Sequence, residues 1–259
     1  MASFRQSPND VLTSLPEADF ELLRPHCRTV ELVNGDILVE AGAPLLQIYF
    51  PHSAVISKIV SLAGGESIEV AMIGREGVFG GSAAHYGELS PTAGIVRFPG
   101  AASVIDVGHF RAACAQSEPL RAALMQRQWQ HIVQAERTAA CNAAHSVEAR
   151  LCRRLLMLRD LARCDELPLT QDILAQMLGV QRNSISLVAI ELQQAGLLRY
   201  SRGHLEITDV DGLIERSCEC YERAQPHGGG PSGTGDAPGR AAPDSVASGP
   251  TTGSRPRAV

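Results

Sequence analysis

The chain has 259 residues, a formal charge of −5 and a hydrophobic share of 44 %. The length is enough for two domains with real cores, while the net acidity by itself opposes nucleic-acid binding. Seven cysteines stand singly, apart from one C-x-C at Cys218 and Cys220; this is no disulfide framework, so a reducing, cytoplasmic setting is expected.

Residues 1–14 read as an arm. Its first stretch, MASFRQSPNDV, lacks the apolar core of a signal peptide, and no run in the chain is long enough to span a membrane. Ser14 is placed to cap a short helix, with Pro16 in its first turn and Phe20, Leu22 and Leu23 on its apolar side.

From Arg28 to about Val107 the hydrophobic period changes to two. TVELV, GDILVEAG, QIYFPHSAVISKIV, SIEVAMIG, AGIVRF and ASVIDV predict short strands with glycine at the corners, and so a sandwich or barrel over residues 15–117.

Residues 118–142 predict one long helix, and 118–143 are taken as its domain. Met125, Trp129, Ile132, Ala135 and Ala139 keep the spacing of a narrow apolar seam, which suits a partner helix and predicts dimerisation. The break is expected near residues 142–145. Ser146 then caps a helix whose Val147, Leu151, Leu155 and Leu158 face inward and whose Arg150, Arg153, Arg154 and Arg159 lie mostly outside.

Residues 144–222 are expected to bind DNA. Thr170 can cap a helix carrying Ile173, Leu174, Met177 and Leu178; Gly179 suits a left-handed turn; Ile185, Val188, Ala189 and Leu192 line a second helix. Helix, glycine turn, helix is the helix-turn-helix pattern. After Gly196, LLRYSRGHLEITD predicts a two-stranded wing around Gly203. This region carries eight Lys/Arg and eight Asp/Glu between residues 144 and 209. DNA affinity must therefore come from where charges stand, not from their sum. Residues 210–222 allow a last helix. Cys218 and Cys220 supply two thiols where a metal site wants four ligands, so no metal is expected. From Gln225 the sequence is rich in Gly, Pro, Ser, Thr and Ala, and residues 223–259 are expected to be a disordered tail.

LTQDILAQMLGVQRNSIS, ELQQAGLL and YSRGHLEITD resemble the C-terminal domain of the Crp/Fnr family of bacterial transcription regulators. Taken with the strand-rich half, the resemblance spans most of residues 15–222. It implies an α+β chain: an N-terminal β-roll sensor domain (jelly-roll-like, and similar to cyclic-nucleotide-binding domains), a dimerisation helix and a C-terminal winged helix-turn-helix. It also implies a homodimer on a double-stranded operator, acting with RNA polymerase. The family's reading set, Arg-Glu-x-x-x-Arg, falls on Arg182, Asn183 and Leu187, so only the first place keeps its type. Arg182 can pair with guanine, Asn183 with adenine, and Leu187 can touch a thymine methyl. Thr170, Gln181, Ser184, Ser186, Arg199 and Arg202 complete the expected contacts.

The family's cyclic-nucleotide cassette, Gly-Glu-Leu followed by Arg-Ser/Thr-Ala, falls on Gly80, Gly81 and Ser82 and on Pro91, Thr92 and Ala93. Its Glu has become Gly81 and its Arg Pro91; Gly87, Glu88 and Leu89 spell the first motif but stand too close to Pro91. Cyclic AMP is therefore not the expected ligand, and no cofactor is predicted. Arg75 and Glu76 join the residues of a possible effector pocket, against a plain solvated turn.

An enzyme is the contrary class. No P-loop, G-x-S-x-G or H-E-x-x-H occurs, and eight histidines are dispersed. A sensor with a vestigial DNA domain is a third reading; Arg182 at the start of the reading helix argues against it. Iron–sulfur sensing would need several N-terminal cysteines where only Cys27 stands, and His26 with Cys27 is the sole pair considered for haem.

Overall fold

A computed structural model describes residues 9–82, 89–201 and 203–221, all within one compact unit. The N-terminal half is two antiparallel sheets. One has the order β1 (Arg28–Leu32), β7 (Gly100–Asp106), β3 (Gln47–Pro51); the other runs β2 (Ile37–Val39), β6 (Ala93–Phe98), β4 (Val55–Ser61), β5 (Ser67–Ile73). The period-two segments become these strands. Ile48, Phe50, Ile56, Val96 and Val104 meet between the sheets in one core. Burial along β4 is nearly continuous, because Val55 belongs to a second core on the sheet's other side.

The chain does not start as an arm in the described part. Helix α1 (Asp10–Ser14) is capped by Asn9, whose Oδ1 accepts from the Val11 and Leu12 amides, and whose Nδ2 donates to Pro51 O at 2.9 Å and Gly77 O at 3.0 Å. Val11 and Leu12 are buried in the first core. Ser14 ends this helix instead of capping the next; α2 (Glu17–Glu21) has Pro16 at its cap and no side-chain bond there. A helix of five residues is too short to show a period, which is why the sequence reads as an arm.

After α3 (Val107–Gln116), Ser117 caps the long helix α4 (Glu118–Ala144), its hydroxyl accepting from Leu120 N at 3.0 Å. His145 leaves the helical range at φ −110° and ψ 150°, and Ser146 caps α5 (Val147–Ala162). Then follow β8 (Glu166–Leu167), α6 (Gln171–Leu178), α7 (Arg182–Gln194), β9 (Leu198–Ser201), β10 (His204–Ile207) and α8 (Val210–Arg216). The wing is a three-stranded sheet ordered β8, β10, β9.

The second core joins the two halves. Val55 and Met72 of the strand-rich half pack with Leu151, Leu155, Leu174, Leu178 and their neighbours. Arg153 and Arg154, expected on the solvent side of α5, are buried at 3 % and 5 % exposure. Arg154 reaches Glu69 of β5 (Nε–Oε1 3.6 Å), which also faces Arg97 of β6 (Oε2–Nε 3.8 Å) and accepts from Ser57 Oγ. Arg97 in turn donates to Gln176 Oε1 on α6 at 3.1 Å. Both faces of α5 are covered, so helical spacing alone picks out one inward stripe where there are two. Among the described residues, no single helix is long and apolar enough to cross a membrane.

Candidate nucleic-acid interface

Helices α6 and α7 meet at 111°, inside the range of helix-turn-helix pairs. Thr170 caps α6 as expected, its Oγ1 accepting from Ile173 N at 3.2 Å. Gly179 closes α6 with φ +64°, the left-handed conformation that glycine adopts without a Cβ clash. Ile185, Ala189 and Leu192 bury the inner face of α7, while Gln181, Arg182, Asn183 and Leu187 are exposed on its outer face. Leu187 is 65 % exposed, a large apolar side chain held in water.

Gln181 is the N-cap of α7, yet no side chain bonds the first-turn amides. Those amides and the helix dipole together favour an anion at this end. Arg182 is held near Asp172 of α6 at 3.4 Å, with both side chains more than 60 % exposed. Ser184 is half-buried. Ser186 Oγ lies 2.7 Å from Gln171 Oε1 and 3.1 Å from Arg182 O, so its hydrogen is used inside the motif and it braces α6 against α7. That makes it a poor donor to a base. On the wing, Arg199 pairs with Glu206 at 2.8 Å across β9 and β10. Arg202 lies outside the described residues.

The Crp-like helix-turn-helix domain family matches residues 149–216. Residues 149–216 are therefore a Crp-like helix-turn-helix domain. Solved structures extend the likeness to the fold as a whole. A Crp/Fnr-family regulator of Thermus thermophilus is 21 % identical, with a TM-score of 0.62 over 75 % of this chain and 98 % of that one. One from Eubacterium rectale is 17 % identical, with a TM-score of 0.63 over 82 % and 98 %. FixK2 of Bradyrhizobium japonicum is 13 % identical, with a TM-score of 0.62 over 74 % and 98 %. No curated protein matches in sequence. The strand-rich half thus shares the fold of these regulators' corresponding half, and a long helix joins it to the Crp-like domain.

The expected effector residues are not one pocket. Arg75 turns to Asp10 of α1 (2.8 Å), and Glu76 bends back to accept from Gly74 N at 3.0 Å, with burial pushing its carboxyl above the usual range. Gly81 and Ser82 line a cavity of about 240 Å³ along α4, beside Trp129 and His131; the other six do not line it. A Cβ at Gly81 would stand 3.2 Å from Leu124 of α4, and a Cβ at Gly94 would clash with the tip of the Phe79 ring. Pro91 is exposed, while Thr92 and Ala93 are buried. Thr92 offers a buried hydroxyl but no charge. The nearest arginine in β6, Arg97, is committed to Glu69 on the other face of the sheet. Of the expected effector residues Arg75 is the one cation, and it is engaged by Asp10. Gly87 and Glu88 lie outside the described residues.

The seam of α4 is laid bare: Met125 is 70 %, Trp129 65 % and Ile132 41 % exposed, and Ala135 and Ala139 continue the exposed line. His26, one of the pair named for haem, stacks on His109 at 4.0 Å between centroids. Burial pushes the thiols of Cys27 and Cys114 up to about 11 and that of Cys152 to about 12, so little reactive thiolate forms on them at neutral pH.

The fold adds two side chains that the sequence reading did not place beside the C-x-C pair. Cys218 and Cys220 are not left with two ligands: the end of α4 brings Cys141 and His145 to them, and no signal within either segment announces the meeting.

Proposed function

We propose that this protein is a homodimeric, sequence-specific transcription regulator that sets α7 into the major groove of a palindromic operator. The observation that carries the reading is the outer face of α7. Arg182, Asn183 and Leu187 stand exposed together at the open N-terminal end of a Crp-like recognition helix. Arg182 reads guanine, Asn183 adenine and Leu187 a thymine methyl, while Gln181, Ser184 and Arg199 contact phosphate. Thr170 serves chiefly as the cap. The half-sites lie about one helical turn apart, and their sequence differs from one read by Arg-Glu-x-x-x-Arg. RNA polymerase is the expected protein partner and the cytoplasm the expected place.

Dimerisation runs through α4, where three large apolar side chains and a run of alanines face water in the single chain. Trp129→Glu with Ile132→Glu gives monomers by sedimentation; an unchanged dimer would put the interface elsewhere. The signal is not cyclic AMP or cyclic GMP, and calorimetry finds no micromolar binding of either. Sequence selection followed by titration tests the central claim. Arg182→Ala loses about 1–3 kcal/mol on the preferred site and relaxes one base position. Unchanged affinity and preference would refute the assignment of α7.

A further inference from the structure

Four soft-metal ligands converge where the long helix ends. Cys141 and His145 stand one turn apart at the C-terminus of α4, and just after α8 Cys218 opens a turn that contains Cys220. Their ligand atoms all lie within 4.8 Å of one another. Cys141 Sγ is 3.5 Å from Cys218 Sγ, and Cys220 Sγ is 3.9 Å from His145 Nδ1. A tetrahedral zinc ion with ~2.3 Å bonds to sulfur holds its ligand atoms ~3.8 Å apart. We infer that Cys141, His145, Cys218 and Cys220 form a site for one thiolate-preferring divalent cation, zinc by preference, that clasps the end of the long helix to the end of the DNA-binding domain.

The surroundings fit that ion. His145 turns Nδ1 to the thiols and Nε2 to Glu219 Oε2 at 3.3 Å, the outer-shell carboxylate that orients metal-bound imidazoles. Three thiolates and a neutral imidazole around a divalent ion sum to one negative charge. Arg153 of α5 is buried, donates to Thr138 Oγ1 on the last turns of α4 at 3.2 Å, and has no hydrogen-bond partner at Nε. It supplies the balancing positive charge. Around the site, Tyr221 Oη donates to Asp160 at 2.8 Å and Arg216 pairs with Glu148 at 2.8 Å, so the Cys218–Cys220 turn is pinned to α5 before any ion arrives. Closely spaced single donors suit one ion and not a cluster of irons. The clasp crosses the helix break at residues 145–146, so a bound ion limits how far α5 can swing about the end of α4.

The test uses the untagged, full-length protein, purified and kept under a non-chelating reductant. Elemental analysis gives one zinc per chain. After its removal, cobalt(II) titration gives the ligand-field and thiolate charge-transfer bands of a tetrahedral sulfur-rich site, saturating at one equivalent. Cys218→Ser abolishes those bands, Cys164→Ser keeps them, His145→Ala shifts them, and Glu219→Gln weakens affinity ~10-fold or more. Hydrogen exchange at residues 140–147 and 213–221 slows when the metal binds. Wild-type protein that takes up no cobalt in tetrahedral form while its thiols are reduced would overturn the assignment, whatever the variants do. So would a Cys141–Cys218 disulfide in protein purified under reductant, or bands unaffected by Cys218→Ser.

Discussion

The inner and outer surfaces of the Crp-like domain carry the same kinds of ion pair and use them differently. On the inner side Glu69, Arg97 and Arg154 are sealed between sheet and helices, at exposures of 5 % or less. On the outer side Arg182 with Asp172, and Arg199 with Glu206, stand in water. A buried pair cannot be broken cheaply, because its partner stays behind in a low-dielectric site. An exposed pair is worth less than ~1 kcal/mol and exchanges readily for a phosphate or a base. Burial, not residue type, thus divides the arginines that hold this domain from those left exposed on its surface.

Removing Glu69 breaks that comparison most directly. Glu69→Ala leaves two buried guanidinium groups facing each other and should cost about 3–5 kcal/mol of stability, read from denaturant unfolding. Replacing all three residues by apolar ones of similar volume should restore much of it. A loss below 1 kcal/mol for Glu69→Ala would mean that the inner cluster behaves like the outer pairs. Asp172→Ala, the matching outer change, should cost under ~1 kcal/mol.

The same division limits what the sequence reveals. Strands β1–β7 and helix α4 are legible because their apolar residues repeat every two or every three to four positions. The helix-turn-helix is legible from Thr170, Gly179 and two apolar stripes. Arg153 and Arg154 are not, since nothing in α5 announces that a sheet will cover its second face. Asn9 is missed because its partners, Pro51 O and Gly77 O, are 42 and 68 residues away. The convergence of Cys141 with Cys218 spans 77 residues and is visible only once the chain has folded.

A half-buried histidine sharpens the comparison through pH. His131 of α4 is held down to about 4 from the ordinary 6.5, first by burial and then by the charges of Lys58 and Arg127. The native state therefore resists the proton that the unfolded chain accepts. Its contribution is complete above pH 6.5, shrinks as pH falls from 6.5 towards 4, and changes no further below that. After allowance for partial solvent access the loss should be about 1–2 kcal/mol. His131→Leu should flatten that part of the stability profile. An unchanged slope would show that the imidazole is protonated in the native state.

The smallest effect belongs to the outer pair on DNA. Asp172 lies 3.4 Å from Arg182, so on the proposed docking it shares the guanidinium that guanine would claim and its charge would oppose the phosphates. Asp172→Asn removes that charge and keeps the side chain's shape. Stability should move by less than ~1 kcal/mol. Affinity should rise about threefold at low salt, for preferred and unrelated sequences alike, because phosphate attraction carries no base information. The gain should fade as salt rises, since exposed charges are screened within ~10 Å at 0.1 M. Titrations on both sequences at two salt concentrations separate the cases. A gain confined to the preferred site would mean that Asp172 acts by withholding Arg182 from guanine; equal gains mean that it acts only by its charge.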